Sequence, residues 1–271
     1  MTDYLLTKSL IVPKYYFKMK TYLLFFFILS ASTLSSCSQS DNTITPVSKA
    51  ETYFGESKPF GGDSIRSWIK TDMNGNPISI GITFREAAFL KLETQPDSVF
   101  MLMLPSMPVG TTSSVIAPPF DHIEVDWVSK GDSIPPFNTP HFDVHFFTVS
   151  EAEQIAVTGG PDTASTNMNR KYFPFGFLPD NQAEPGMGLH FMDSTLSKTK
   201  TFGTTMMYGF YHGNYYFIEP MFAASYFNKM SGVVEYQGPQ YYKKSGYYTN
   251  GYSIIFDSSQ YSIGIGGLRL H

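Results

Sequence analysis

Two short segments near the middle of the chain alternate strictly between titratable and large apolar residues. The first, residues 122–127, reads HIEVDW, and the second, residues 141–146, reads HFDVHF. Because successive side chains of a β-strand point to opposite faces, this period of two predicts two strands, each with one apolar face. The other face of each strand consists only of His, Asp and Glu, the residue types that bind metals and move protons. The pattern therefore indicates a site.

The remaining pattern predicts mostly antiparallel strands joined by tight turns. Hairpins are expected within residues 64–84, within 204–221 around His212-Gly213, and within 247–256 around Asn250-Gly251, which is a type I′ turn signal. Many short strands and few helices are typical of an antiparallel sheet that is either closed or sandwiched.

Two short helices are expected among these strands. Residues 85–92 combine helix formers with apolar positions at helical spacing, and residues 150–156 begin with Ser150 and Glu153 in the arrangement of a capping box. We therefore predict an α+β fold, predominantly antiparallel β, with a barrel-like or sandwiched sheet and two short helices.

The N-terminal residues follow the layout of a bacterial export signal. Lysines precede the apolar run 22–29, YLLFFFIL, which small and polar residues follow. This run is shorter than the ~20 residues that span a bilayer. Leu34-Ser35-Ser36-Cys37 resembles a lipobox, in which cleavage leaves the cysteine as a lipidated N-terminus. An ordinary signal peptide with a chance cysteine is the alternative interpretation.

These features divide the 271-residue chain into three parts. Residues 1–36 are the predicted signal peptide, with Met19 a more usual start than Met1, residues 37–52 are a lipid-anchored flexible tether, and residues 53–271 are a single β-rich domain. The expected location is the bacterial cell envelope, where the lipid on Cys37 holds the protein to a membrane. A net charge of −4 argues against a nucleic-acid partner, which requires a basic patch.

Four separated sequence blocks carry a resemblance to an uncharacterised family of exported bacterial proteins, a domain of unknown function. The blocks are FDHIEVDW, PHFDVHFF, GMGLHFMD and YGFYHGNYYFIEPM, and they cover roughly residues 62–226. Two positions depart from the family pattern. Asp132 follows Gly131 where the family pattern has a histidine, and Phe191 stands where it has a tryptophan. The resemblance adds His190 and Glu219 to the candidate site and implies no particular activity.

The candidate residues suit a divalent metal, with Zn, Mn and Fe all compatible with imidazole and carboxylate ligands. His141 and His145 would lie ~13 Å apart on a regular strand, which is too far for both to bind one ion directly unless the strand is bent or bulged. The preferred ligand set is therefore His122, His141, His190 and Glu219, and His145 is the substitute if the strand register differs.

Three carboxylates near these ligands have predicted supporting roles. Asp126 and Asp143 would orient the ligand imidazoles through their second ring nitrogens. Glu124 is the candidate general base or a further ligand.

The same pattern is open to two interpretations of function. In the first, the cluster serves a small-molecule enzyme of the hydrolase or lyase type, or a metal-dependent binding protein. In the second, the polar side chains form a buried network that only organises a non-catalytic envelope protein, whose aromatic surfaces serve ligand contact or a homo-oligomer.

Overall fold

The computed structural model describes residues 50–105, 119–196, 202–249 and 251–271. Of these, 47% are in strands and 11% in helices, and the strands pair antiparallel, so the predicted α+β class with mainly antiparallel strands is confirmed. The predicted signal segment, Cys37 and most of the predicted tether lie outside the described residues. Over the described ranges, no helix has the length and apolar character needed to cross a membrane.

The strands, in chain order, are β1 (Thr52–Phe54), β2 (Lys58–Phe60), β3 (Asp63–Thr71), β4 (Pro77–Arg85), β5 (Ser98–Met103), β6 (His122–Val128), β7 (His141–Phe147), β8 (Phe177–Pro179), β9 (Leu189–Asp193), β10 (Thr204–Tyr211), β11 (Asn214–Ala223), β12 (Gly232–Glu235), β13 (Tyr247–Tyr248), β14 (Gly251–Asp257), β15 (Gln260–Gly266) and β16 (Arg269–Leu270). The helices are α1 (Glu86–Leu92), α2 (Glu151–Ile155) and α3 (Thr163–Thr166), with 3₁₀ turns at Arg170–Tyr172 and Ala224–Tyr226.

Two large sheets contain most of these strands. The terminal sheet, built from both ends of the domain, has the order β1-β3-β4-β15-β14-β12, with β2 also paired to β3. The middle sheet, built from the central part of the chain, has the order β5-β6-β7-β11-β10-β9-β8. Within the described residues neither sheet closes on itself, so the sandwich prediction is confirmed and the barrel-like alternative is wrong.

The two sheets pack face to face around one apolar core. From the middle sheet, the apolar residues of β6 and β7 point inward, including Ile123, Val125 and Phe142, and from the terminal sheet Ile82 and Phe84 meet them. The rings of Phe84 and Phe142 have centroids 6.2 Å apart. The apolar half of the alternating pattern therefore builds the sandwich interior.

The polar half of the pattern lies on the outer face of the middle sheet, yet it is buried. His122, His141 and His145 are each at most 1% exposed. Helix α2 covers one end of this face through Gln154, which contacts His122, and Phe137 of the β6–β7 connection lies near His141. Loops and a short helix thus form a third layer over the polar face.

The predicted helices are present, and the structure adds a third. Helices α1 and α2 match the predicted segments, and α2 begins with the predicted capping box between Ser150 and Glu153. Helix α3 was not predicted because its four residues are too few to show a 3.6-residue period.

The predicted hairpin around Asn250-Gly251 is wrong. Strand β13 pairs with β16, whereas β14 pairs with β15 and β12. The β14–β15 hairpin turns at Ser258-Ser259, where both residues have positive φ, as a type I′ turn requires. Serine seldom adopts this conformation, so composition gave no signal for the turn.

Asp162 joins helix α3 to the tip of the β10–β11 hairpin. Its carboxylate accepts hydrogen bonds from the backbone N–H and the hydroxyl of Ser165 and, at 2.8 Å, from the N–H of His212. The Ser165 hydroxyl oxygen accepts in turn from Gly213 N–H. Burial raises the pKa of Asp162, but these hydrogen bonds outweigh it and hold the pKa below its ordinary value.

We expect Asp162→Asn to lower the free energy of unfolding by about 1.5–3 kcal/mol near neutral pH, because charge-assisted hydrogen bonds are lost. Because the folded-state pKa is depressed, this contribution is present above the unfolded-state pKa of about 4 and disappears as pH falls through the folded-state value. Urea unfolding at a series of pH values measures it, with the exposed Asp257→Asn as control. A difference between Asp162→Asn and wild type that does not shrink in acid would contradict this account.

Candidate functional site

The strand register places His145 at the centre of the polar face. On one side, β6 pairs with β7 so that Glu124 lies opposite His145 and Asp126 lies opposite Asp143. On the other side of β7, the pairs Ile218–Phe146 and Met221–Asp143 define the register with β11. This register puts Glu219 opposite His145. Cross-strand neighbours have Cβ atoms about 5 Å apart, so three strands bring these side chains within contact.

His190 reaches the same cluster from β9, which lies two strands from β11 on the side away from β7. Its partner on the intervening strand β10 is Gly209, which has no side chain to separate His190 from β11. The Nε2 atom of His190 lies 3.6 Å from Oε2 of Glu219.

The ring of His145 lies between two carboxylates. Its Nδ1 is 3.3 Å from Oδ2 of Asp126, and its Nε2 is 3.4 Å from Oε1 of Glu219. Two groups of three residues have ligand atoms that all lie within 4.8 Å of one another: His145, His190 and Glu219, and Glu124, Asp126 and His145. Either group could hold a metal ion, and both include His145.

Many polar atoms of this cluster are buried without a hydrogen-bond partner. Most buried polar atoms in native proteins do have one. Those lacking a partner are Asp126 Oδ1 and Oδ2, His141 Nε2, Asp143 Oδ1, His145 Nδ1 and Nε2, and Glu219 Oε2. Asp126 and Asp143 are also direct cross-strand neighbours, and like charges in that position are destabilising. The cluster is rich in negative charge and lacks donors.

The protonation of the two histidines beside Glu219 follows from this arrangement. Burial lowers the pKa of His145, but the carboxylates of Glu219 and Asp126 outweigh it and raise the pKa to about 10. Burial, with His145 adding to it, lowers the pKa of His190 to about 3. Burial raises the pKa of Glu219, and the neighbouring His145 opposes the rise. His190 is therefore a neutral imidazole, the form that binds metals.

His122 belongs to neither three-residue group. Its Nδ1 contacts Oδ1 of Asp121 at 2.9 Å, and its Nε2 contacts Oε1 of Gln154 at 2.9 Å. The side-chain amide of Gln154 donates at 3.1 Å to Oε2 of Glu124. Sequence reasoning did not identify Gln154, although the capping box that begins α2 located the helix that carries it.

His141 also stands apart from the two groups, beside Asp143 and Asp132. Of the preferred ligand set, the structure thus brings together only His190 and Glu219. The substitute, His145, completes the group. Asp126 contacts the second ring nitrogen of His145, as an orienting carboxylate must. Asp143 has the corresponding position beside His141.

Comparison of the chain with family models, with curated proteins and with solved structures gave no match. The resemblance to an exported family of unknown function therefore stays a prediction, and the function rests on the geometry of the site.

Phe217 fixes the relative position of the two imidazoles that meet Glu219. Its ring packs edge-on against His145 at 4.9 Å and against His190 at 5.3 Å, centroid to centroid. Room for this ring exists because Gly209 lies beneath it, where an added Cβ would be 2.1 Å from a ring carbon of Phe217.

We expect Gly209→Ala to displace Phe217, to lower the free energy of unfolding by about 1–3 kcal/mol, as overpacking usually does, and to shift the ring NMR signals of His145 and His190. The control is Gly203→Ala, whose Cβ would be 3.4 Å from the nearest atom of Tyr226. Equal stability and unchanged histidine signals in the two variants would contradict the proposed role of Phe217.

Proposed function

We propose that this protein binds a divalent transition metal ion through His145, His190 and Glu219. The observation that carries the proposal is the position of His145 between two carboxylates. A neutral imidazole has a single N–H, so its other nitrogen would present a lone pair to a carboxylate oxygen. That contact requires a second proton, on the ring or on the carboxylate, or a metal ion at the nitrogen.

The distances within this group suit a metal ion. Ligand bonds of about 2.0–2.1 Å in a tetrahedral site separate neighbouring ligand atoms by about 3.4 Å. The carboxylate of Glu219 lies 3.4 Å from His145 Nε2 through Oε1 and 3.6 Å from His190 Nε2 through Oε2. With the metal at Nε2, Nδ1–H of His145 donates to Asp126, which fixes the ring as carboxylates do in many metal sites.

Two imidazoles and one carboxylate are compatible with Zn, Fe or Mn. Three protein ligands would leave a coordination position for water or substrate, and a metal-bound water with a pKa of ~7 would supply hydrolase or lyase chemistry. Glu124 suits the role of general base because burial, together with Asp126, raises its pKa.

The rival candidate is a buried ion-pair network in which His145 is an imidazolium. The raised pKa of His145 favours it. Such a network organises the sheet and its covering loops without binding anything. It leaves His190 as a neutral neighbour of Glu219 and gives it no function of its own.

Zinc content separates the two candidates. We expect His190→Ala and Glu219→Gln each to bind one zinc ion fewer per chain than the parent protein after equilibrium dialysis and elemental analysis, because each removes a ligand. All proteins carry Cys37→Ser, so that the single thiol of the chain cannot bind zinc. The control is His212→Ala at the hairpin tip, whose side chain is 68% exposed. Folded variants that bind as much zinc as the parent would favour the network.

We further propose that Cys37 is lipidated and holds the domain at a membrane of the cell envelope. The support is the sequence alone, in the apolar run before residue 30 and in the lipobox-like residues before Cys37. Labelling cells with a clickable fatty acid should tag the wild type and should fail to tag Cys37→Ser. Undiminished labelling of that variant would reject the anchor and leave the metal proposal unaffected.

A further inference from the structure

A second group of potential ligands lies at the other end of β7, around His141. The Nε2 atom of His141 is 3.4 Å from Oδ1 of Asp143 and 3.9 Å from Oδ2 of Asp132. His141 is completely buried, whereas the side chain of Asp132 is 52% exposed. The group therefore connects a buried imidazole to solvent through an aspartate.

A contact with a backbone carbonyl determines which ring nitrogen of His141 has the free lone pair that faces the aspartates. Its Nδ1 contacts the carbonyl oxygen of Thr139 at 2.6 Å, and a carbonyl oxygen only accepts, so Nδ1 carries the hydrogen. In the neutral ring Nε2 then has no hydrogen, and it is a buried atom without a hydrogen-bond partner. A lone pair directed at two carboxylates requires a positive charge there, either a second proton on the ring or a cation between them.

Neighbouring side chains keep His141 in this position. The rings of Phe137 and Phe202 lie 6.4 Å and 5.6 Å from it, centroid to centroid. The N–H of Asp132 donates to the carbonyl of Phe137 at 2.8 Å, which fixes the backbone of Asp132 in the β6–β7 connection. The imidazole of His141 is thus preorganised, which lowers the cost of binding.

We propose that Asp132, His141 and Asp143 form a second divalent-cation site, at the solvent-facing end of the polar face. One imidazole and two carboxylates suit Mn²⁺ or Zn²⁺, with the remaining positions taken by water. This site shares no ligand atom with the His145–His190–Glu219 group, so it does not depend on that group being a metal site.

The second site also accounts for the paired aspartates. Asp143 lies between His141 and His145 on one face of β7, opposite Asp126. His141 and His145 are four residues apart, about 13 Å along the strand, so β7 presents one imidazole to each of two neighbouring cations. A cation at His141 offsets the charge of Asp143, and a cation at His145 offsets that of Asp126.

The test is equilibrium dialysis of the full chain against zinc chloride, with elemental analysis, again with Cys37→Ser in every protein. We expect two zinc ions per chain for the parent. Asp132→Asn and Asp143→Asn should each weaken one of them at least about tenfold and keep the one that His190→Ala removes. Two variants are tested so that the conclusion stands even if one of them does not fold.

Glu184→Gln is the matched control. Glu184 is exposed and acts electrostatically on the same aspartates, but it is not a proposed ligand. If Glu184→Gln weakens zinc binding as much as Asp132→Asn does, or if neither Asp132→Asn nor Asp143→Asn changes zinc content, the second site is refuted and His141 is an ion-paired imidazolium. Zinc lost in Asp132→Asn but kept in His190→Ala would refute the proposed function and leave this inference standing.

Discussion

A buried imidazole that faces a carboxylate from each ring nitrogen is the constraint on which the polar side of this protein depends. His145 lies between Asp126 and Glu219 at 3.3 and 3.4 Å, and it is 1% exposed. Buried carboxylates are costly unless a positive charge compensates them. Whether a proton or a metal ion supplies that charge decides between a structural network and a metal site, and both interpretations require His145.

The sandwich explains how one sheet carries an apolar core and a polar site together. A strand has two faces, and in the middle sheet the inward face is filled with aromatic and branched residues while the outward face collects His, Asp and Glu. Helix α2 and the β6–β7 connection then cover the outward face. At the edge of this covering, the side chain of Asp132 in the β6–β7 connection is 52% exposed.

The sequence predicts which face of each strand is apolar, but it does not predict which strands are neighbours in the sheet. Alternation in HIEVDW and HFDVHF predicted the core face and the polar face correctly, because the period of two is a local property of the chain. It did not predict that β11 would place Glu219 beside His145, since register between distant strands depends on tertiary packing. His145 was accordingly the substitute and not the first choice. The hairpin predicted at Asn250-Gly251 is wrong for the same reason, because tertiary packing pairs the strands on its two sides with different partners.

The most direct measurement is an anomalous difference map from crystals grown with zinc, collected at the zinc absorption edge. The account predicts a peak about 2.0–2.2 Å from His145 Nε2, His190 Nε2 and a carboxylate oxygen of Glu219. A map from zinc-saturated crystals without that peak, with His145 donating from both nitrogens to Asp126 and Glu219, would contradict it.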